Sequence, residues 1–108
     1  MEMIDSYEAG VLTQEGREGY ARSLFDPAKV MIRIKQAASI GLSNVRIFQE
    51  VPADLSETAA ARNLVSRLQA LGYVAIWEES AQREKDGKRE TGRFLRYQEL
   101  IVAWGAVS

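Results

Sequence analysis

The sequence predicts an α+β domain: two helices packed on one face of a three-stranded mixed sheet, in the order α-β-α-β-β, with an N-terminal arm. Three observations carry this. Two amphipathic helical periods each close on a glycine (Gly41 and Gly72), β-type runs follow each of them, and a charged segment with a central Asp86-Gly87 links the last two strands. At 108 residues the chain has single-domain length, and 46% hydrophobic with 27% charged residues is ordinary globular usage.

Residues 1–25 read as the arm and 26–108 as the domain. The arm holds Gly10, Gly16 and Gly19, five acidic residues, and scattered apolar side chains. Each glycine costs about 1 kcal/mol against alanine within a helix, so only a short helix near Thr13–Phe25 is expected there. Asp26-Pro27 opens the first full helix, since Asp is a good N-cap and Pro at the first helical position loses only an N–H that would be unpaired. Val30, Met31, Ile34, Ala37 and Ala38 form its apolar stripe, and Asn44–Gln49 is the first strand. The second helix is expected to start at Asp54 or Ser56, where Asp54 and Glu57 have the spacing of a capping box, and to bury Ala61, Leu64, Val65, Leu68 and Leu71. Tyr73–Trp77 and Leu95–Trp104 supply the other strands, joined by a long hairpin with a solvated tip.

Composition excludes much chemistry. There is no histidine and no cysteine, so Ser-His-Asp and Cys-His machinery, imidazole metal ligands, thiolate zinc sites and disulfides have no residues to build them. The aspartates Asp5, Asp26, Asp54 and Asp86 fall in the arm, at expected helix caps and in a turn, outside any D-x-D pattern. Glu78 and Glu79 are adjacent and point to opposite faces of a strand. Neither Gly87-Lys88 nor Gly16-Arg17-Glu18-Gly19 fits a phosphate-binding loop. The expectation is a protein that is not an enzyme and takes no cofactor or metal.

Two groups of residues remain as candidates for contact. Tyr7, Val11, Leu12, Tyr20, Leu24 and Phe25 of the arm, with Tyr73, Trp77, Tyr97 and Trp104 of the strands, have the residue types that protein interfaces favour. The other group is the cations of the hairpin: Arg83, Lys85, Lys88, Arg89 and Arg93. Across Glu78–Arg93 five acidic residues alternate with five basic ones, a solvated ribbon rather than a phosphate-binding one. With a net charge of -1, nucleic acid is not an expected partner. One sheet face needs a cover, and the arm or a second copy of the chain would supply it.

The spacing Ile34-x-x-Ala37-Ala38-x-x-Gly41, then Leu68-x-x-Leu71-Gly72-Tyr73-Val74-Ala75-Ile76, then Ile101-x-x-Trp104, resembles small α+β proteins of tailed bacteriophages over about residues 28–104. That resemblance implies a virion component or a small accessory protein and supplies no catalytic residues. The leading expectation is a structural protein docking on capsid or tail subunits, or on itself, through its arm and sheet face. The alternative is a phage accessory protein that binds a host protein or sequesters a small ligand. No apolar run reaches the roughly 20 residues of a membrane span. Met1-Glu2-Met3-Ile4-Asp5 lacks the character of a signal peptide, so the virion or host cytoplasm is the expected location.

Overall fold

A computed structural model describes residues 3–86 and 89–105. Three helices, α1 (Ser6–Leu24), α2 (Pro27–Ser39) and α3 (Ala59–Ala70), combine with strands β1 (Asn44–Ile47), β2 (Val74–Asp86) and β3 (Arg89–Ala103). The fold is α+β. In the sheet, β3 lies between β1 and β2 and is antiparallel to both. β1 and β2, joined through α3, thus run in the same direction without touching, and the ladder is antiparallel throughout where the sequence suggests a mixed one. The physical reason is burial. Leu100 and Val102 of β3 are fully buried, whereas Val74 and Ile76 of the equally apolar run in β2 stay half exposed, and β3 takes the centre with a neighbour on each side.

The register assigns the faces. Val45 and Ile47 pair with Val102 and Leu100, which pair in turn with Ala75 and Trp77. This face is the core. Ile47, Leu100 and Val102 are buried beneath Val30 and Ile34 of α2 and Ala61, Leu64 and Leu68 of α3. α2 lies over β1 and α3 over β2.

Both helix stops have the sequence-expected form. Gly41 (φ 88°) and Gly72 (φ 93°) are left-handed, and each closes a Schellman turn. Gly41 and Leu42 donate to the carbonyls of Ala38 and Ala37, and Gly72 and Tyr73 donate to those of Gln69 and Leu68. Leu71, expected in the core, is the C-cap of α3 and stands 67% exposed, because the Schellman turn swings it off the apolar stripe. The α3 start also differs from expectation. Thr58 is the N-cap, its Oγ1 accepting from the Ala61 N–H at 3.2 Å, while Asp54 accepts instead from the backbone and hydroxyl of Ser56. Asp54 is spent on a local turn and its capping box does not form.

The arm departs furthest from its expected form. It is one 19-residue helix from Ser6, capped by Asp5, whose Oδ1 accepts from the Glu8 N–H at 2.8 Å. Its end belongs to the domain: Ala21 and Phe25 are core residues, and the Phe25 ring meets Trp77 edge-on at 5.8 Å. Tyr20 Oη accepts from the Glu50 N–H and Glu18 Oε1 accepts from the Ala59 N–H. The boundary between arm and body therefore falls inside α1, before Glu18, rather than at residue 25. Anchoring the C-terminal turns lets the helix propagate backwards through Gly10 and Gly16, since extending a helix is far easier than nucleating one.

A Cβ at Gly10 or Gly16 would meet no atom within 4 Å. Gly10→Ala and Gly16→Ala are each expected to favour the helix by about 0.5–1 kcal/mol. Circular dichroism should show more helix with little change in melting temperature, because the first half of α1 is not coupled to the core.

Candidate interaction surfaces

Every residue from Met3 to Arg17 is exposed. The first half of α1 is therefore a helix without burial of its own, carrying Tyr7, Val11 and Leu12, with exposed Ile4 just before its cap. Tyr7 is 79% and Leu12 56% exposed. Of the arm residues singled out from sequence, Tyr7, Val11 and Leu12 form this surface. Tyr20, Leu24 and Phe25 do not: Phe25 is buried, and Tyr20 and Leu24 pack against the core.

The sheet has a second, open face. Alternation puts Val74, Ile76, Glu78 and Ser80 of β2, Tyr97, Glu99 and Ile101 of β3, and Arg46 of β1 on the side away from the helices. Val74 is 54% and Ile76 48% exposed. Trp77, a sequence candidate for this face, lies on the opposite one against Phe25. Tyr73 and Trp104 pack edge-on at 6.1 Å beyond the strand ends. Tyr97 does lie on the open face but is buried. Its hydroxyl donates to Glu99 Oε2 (3.3 Å) and accepts from Gln82 Nε2 (3.1 Å).

Charge is concentrated at the middle of this face. Glu78 and Glu99 are directly opposite each other on neighbouring strands, a destabilising pair if left alone. Arg46 resolves it from the third strand, with Nη2 2.6 Å from Glu78 Oε1 and Nη1 3.0 Å from Glu99 Oε1. Glu99 is buried, and the Gln49 N–H donates to its second oxygen at 3.0 Å. Burial by itself would raise the Glu99 carboxyl. The Gln49 N–H and the Arg46 guanidinium outweigh it and hold the group below the ordinary glutamate range. The hydrogen bonds that Arg46 donates to both carboxylates, Glu78 first, in turn raise its guanidinium. This is a structural triad, with both carboxylates committed to one guanidinium.

An open groove of about 480 Å³ lies between α2 and the stop of α3, lined by Met31, Ile34, Lys35 and Ala38 on one wall and Leu71, Tyr73 and Trp104 on the other. Nearby, Ile40 (75% exposed) and Leu42 (52%) extend the apolar surface around the α2 stop. The sequence reading missed Ile40, Leu42, Val74 and Ile76. The signal for the last two was the unbroken apolar run Val74-Ala75-Ile76-Trp77, which loads both faces of an outer strand.

On the hairpin, Arg83, Arg89, Arg93 and Arg96 are exposed, and Arg96 pairs with Glu79 at 3.2 Å. The Lys85 side chain, Lys88 and the Gly87 half of the expected turn lie outside the described residues; the flanking Asp86 and Arg89 pair across the ladder. Among the described residues no three carboxylates gather as a metal site, and no helix is long and apolar enough to cross a membrane. Comparison with protein-family models, curated proteins and solved structures finds no match to this chain.

Proposed function

We propose that this chain is a non-enzymatic assembly protein that docks on protein subunits through the first half of α1 and the open sheet face. The observation that carries the reading is the helix from Ser6 to Arg17, exposed along its whole length, with Tyr7, Val11 and Leu12 on its surface. An isolated helix this short is marginal in water and this one contains two glycines, so a partner that covers it gains affinity from a structure already started. The likeness to small tailed-phage proteins suggests a virion as the setting. The groove beside Tyr73 and Trp104 supports a second reading, an accessory protein that holds a small ligand.

The structure changes the design of the test. Removing residues 1–25 would take Ala21 and Phe25 from the core, whereas, among the described residues, a chain starting at Thr13 loses only exposed ones. Both the full chain and the 13–108 chain are to be expressed in phage-producing cells and followed on a density gradient. The full chain is expected in the particle band and the shortened one in the soluble fraction, with equal melting temperatures. Full-length protein confined to the soluble fraction would overturn the virion role. Equal incorporation of the shortened chain would overturn the role of the arm.

A further inference from the structure

The fold gathers three uncharged stretches of chain at one end. β1 and β2 begin in the same row of the sheet, where Asn44 and Val74 both pair with Ala103 of β3. The Schellman turns that stop α2 and α3 lead directly into those two strands and so lie at this end as well. Trp104, just past β3, donates its N–H to the Ser43 carbonyl at 2.9 Å and packs against Tyr73. The stretches 36–45, 68–77 and 100–105 all reach this end, and none of them contains Asp, Glu, Lys or Arg. At the 27% charged residues of the whole chain, these 26 positions would hold about seven charges. The first charges beyond them on the sheet, Arg46, Glu78 and Glu99, are engaged with one another.

The same end exposes large apolar side chains. Ile40, Leu42, Leu71, Val74 and Ile76 are each between 48% and 75% exposed. Ile40 and Leu71 are the C-caps of their helices and stand off the buried stripes. With the groove beside Tyr73 and Trp104, these side chains form an apolar surface on the order of 500 Å², at the upper end for a monomer and of a size that marks an interaction site. Its rim, exposed Ser39, Ser43, Asn44 and Gln69, is polar without charge. Core and rim together are on the order of the 800 Å² that one partner contributes to a standard interface. Depletion of charge around apolar and aromatic residues is the composition of an interface core. Among the described residues, Lys35 is the one charged side chain lining the groove, so a charged partner finds little here to steer or orient it. The complement is a second surface that is apolar and neutral. Neither the arm, with Asp5, Glu8, Glu15 and Arg17, nor the mixed-charge hairpin offers one. A second copy of this end does.

We infer that two copies of this chain associate end to end through their helix stops, with Ile40, Leu42 and Leu71 of one copy meeting the same residues of the other about a two-fold axis. One patch meets itself in this contact, so the assembly closes at two copies. The arm takes no part in it, and the inference is independent of the docking role proposed for the arm.

Sedimentation equilibrium of the purified full chain, from micromolar to millimolar, is the test. A mass of two copies is expected, and the 13–108 chain should associate equally well. Ile40→Lys with Leu71→Lys should weaken association by about tenfold or more, because each ammonium would have to be buried in the contact. Both positions are exposed helix C-caps, where a cation favours the helix, so circular dichroism of this variant should match that of the native chain. Mixing it with an Ile40→Glu, Leu71→Glu chain should restore the two-copy mass, an outcome that misfolding cannot produce. A native chain that stays monomeric, a lysine variant that associates like the native chain, or a mixture that stays monomeric would each overturn the inference. Association lost in the 13–108 chain would overturn it by assigning the contact to the arm. Binding of a monomeric native chain to phosphatidylcholine vesicles, lost in the lysine variant, would overturn it in favour of a lipid surface.

Discussion

Phe25→Ala is expected to destabilise the protein by about 3–5 kcal/mol, the usual cost of deleting a buried aromatic ring and leaving its cavity. Phe25 is 2% exposed, meets Trp77 edge-on at 5.8 Å, and sits at the junction of α1, α2 and the sheet. A domain of this size has about 5–15 kcal/mol of stability, so the loss is a large fraction of the whole. The same argument applies more strongly to removal of residues 1–25, which also deletes Ala21 and the Tyr20 hydroxyl that receives the Glu50 N–H. Urea denaturation followed by Trp fluorescence reads both, since Trp77 is the partner of Phe25. A 26–108 chain that unfolds at the same denaturant concentration as the full chain would refute the assignment of α1's last turns to the core. The 13–108 chain is the control, and its midpoint should stay close to that of the full chain.

Arg46→Met is the second large effect. It leaves Glu78 and buried Glu99 facing each other across the ladder with no cation between them. Hydrogen bonds to charged groups contribute about 1.5–3 kcal/mol, and breaking a buried ion pair costs about 3–5. Arg46 is itself 41% exposed, which screens the interaction, so a loss of about 2–3 kcal/mol is expected. The sign of the pH dependence is the sharper test. In the native protein the Glu99 carboxyl lies below its unfolded value of about 4.3, so the folded state binds fewer protons than the unfolded one. Its contribution is complete above that unfolded value and is lost as pH falls through the lower folded one. In Arg46→Met, burial and the opposing Glu78 push the carboxyl up instead, so the group's contribution should fall as pH rises above about 4.3. Glu99→Gln in the Arg46→Met background should remove that slope. Equal pH profiles for the native protein and Arg46→Met would show that Arg46 does not control the carboxylate.

The elements whose signals are local were legible in the sequence. Pro27 at a helix start and Gly41 and Gly72 at helix stops report constraints set by one or two residues, and the structure places them in those roles. Thr58 was not legible as a cap, because Asp54 and Ser56 offered the same chemistry nearby and only the path of the loop chose among them. Tyr20 and Phe25 resembled the exposed apolar residues Tyr7 and Leu12, as composition cannot distinguish an anchored turn from a free one. The Arg46–Glu78–Glu99 triad joins residues 53 positions apart and had no sequence spacing to announce it.

By itself the sequence determined the α+β class, the helix stops, the hairpin and the lack of histidine and cysteine chemistry. All of these follow from local backbone preference, periodicity and composition. Tertiary structure alone decided that β3 takes the centre of the sheet, that α1 is half core and half projecting helix, and that Arg46 meets Glu78 and Glu99 across the sheet. Those outcomes depend on which apolar surfaces are buried against each other, a competition among distant segments that no local pattern records.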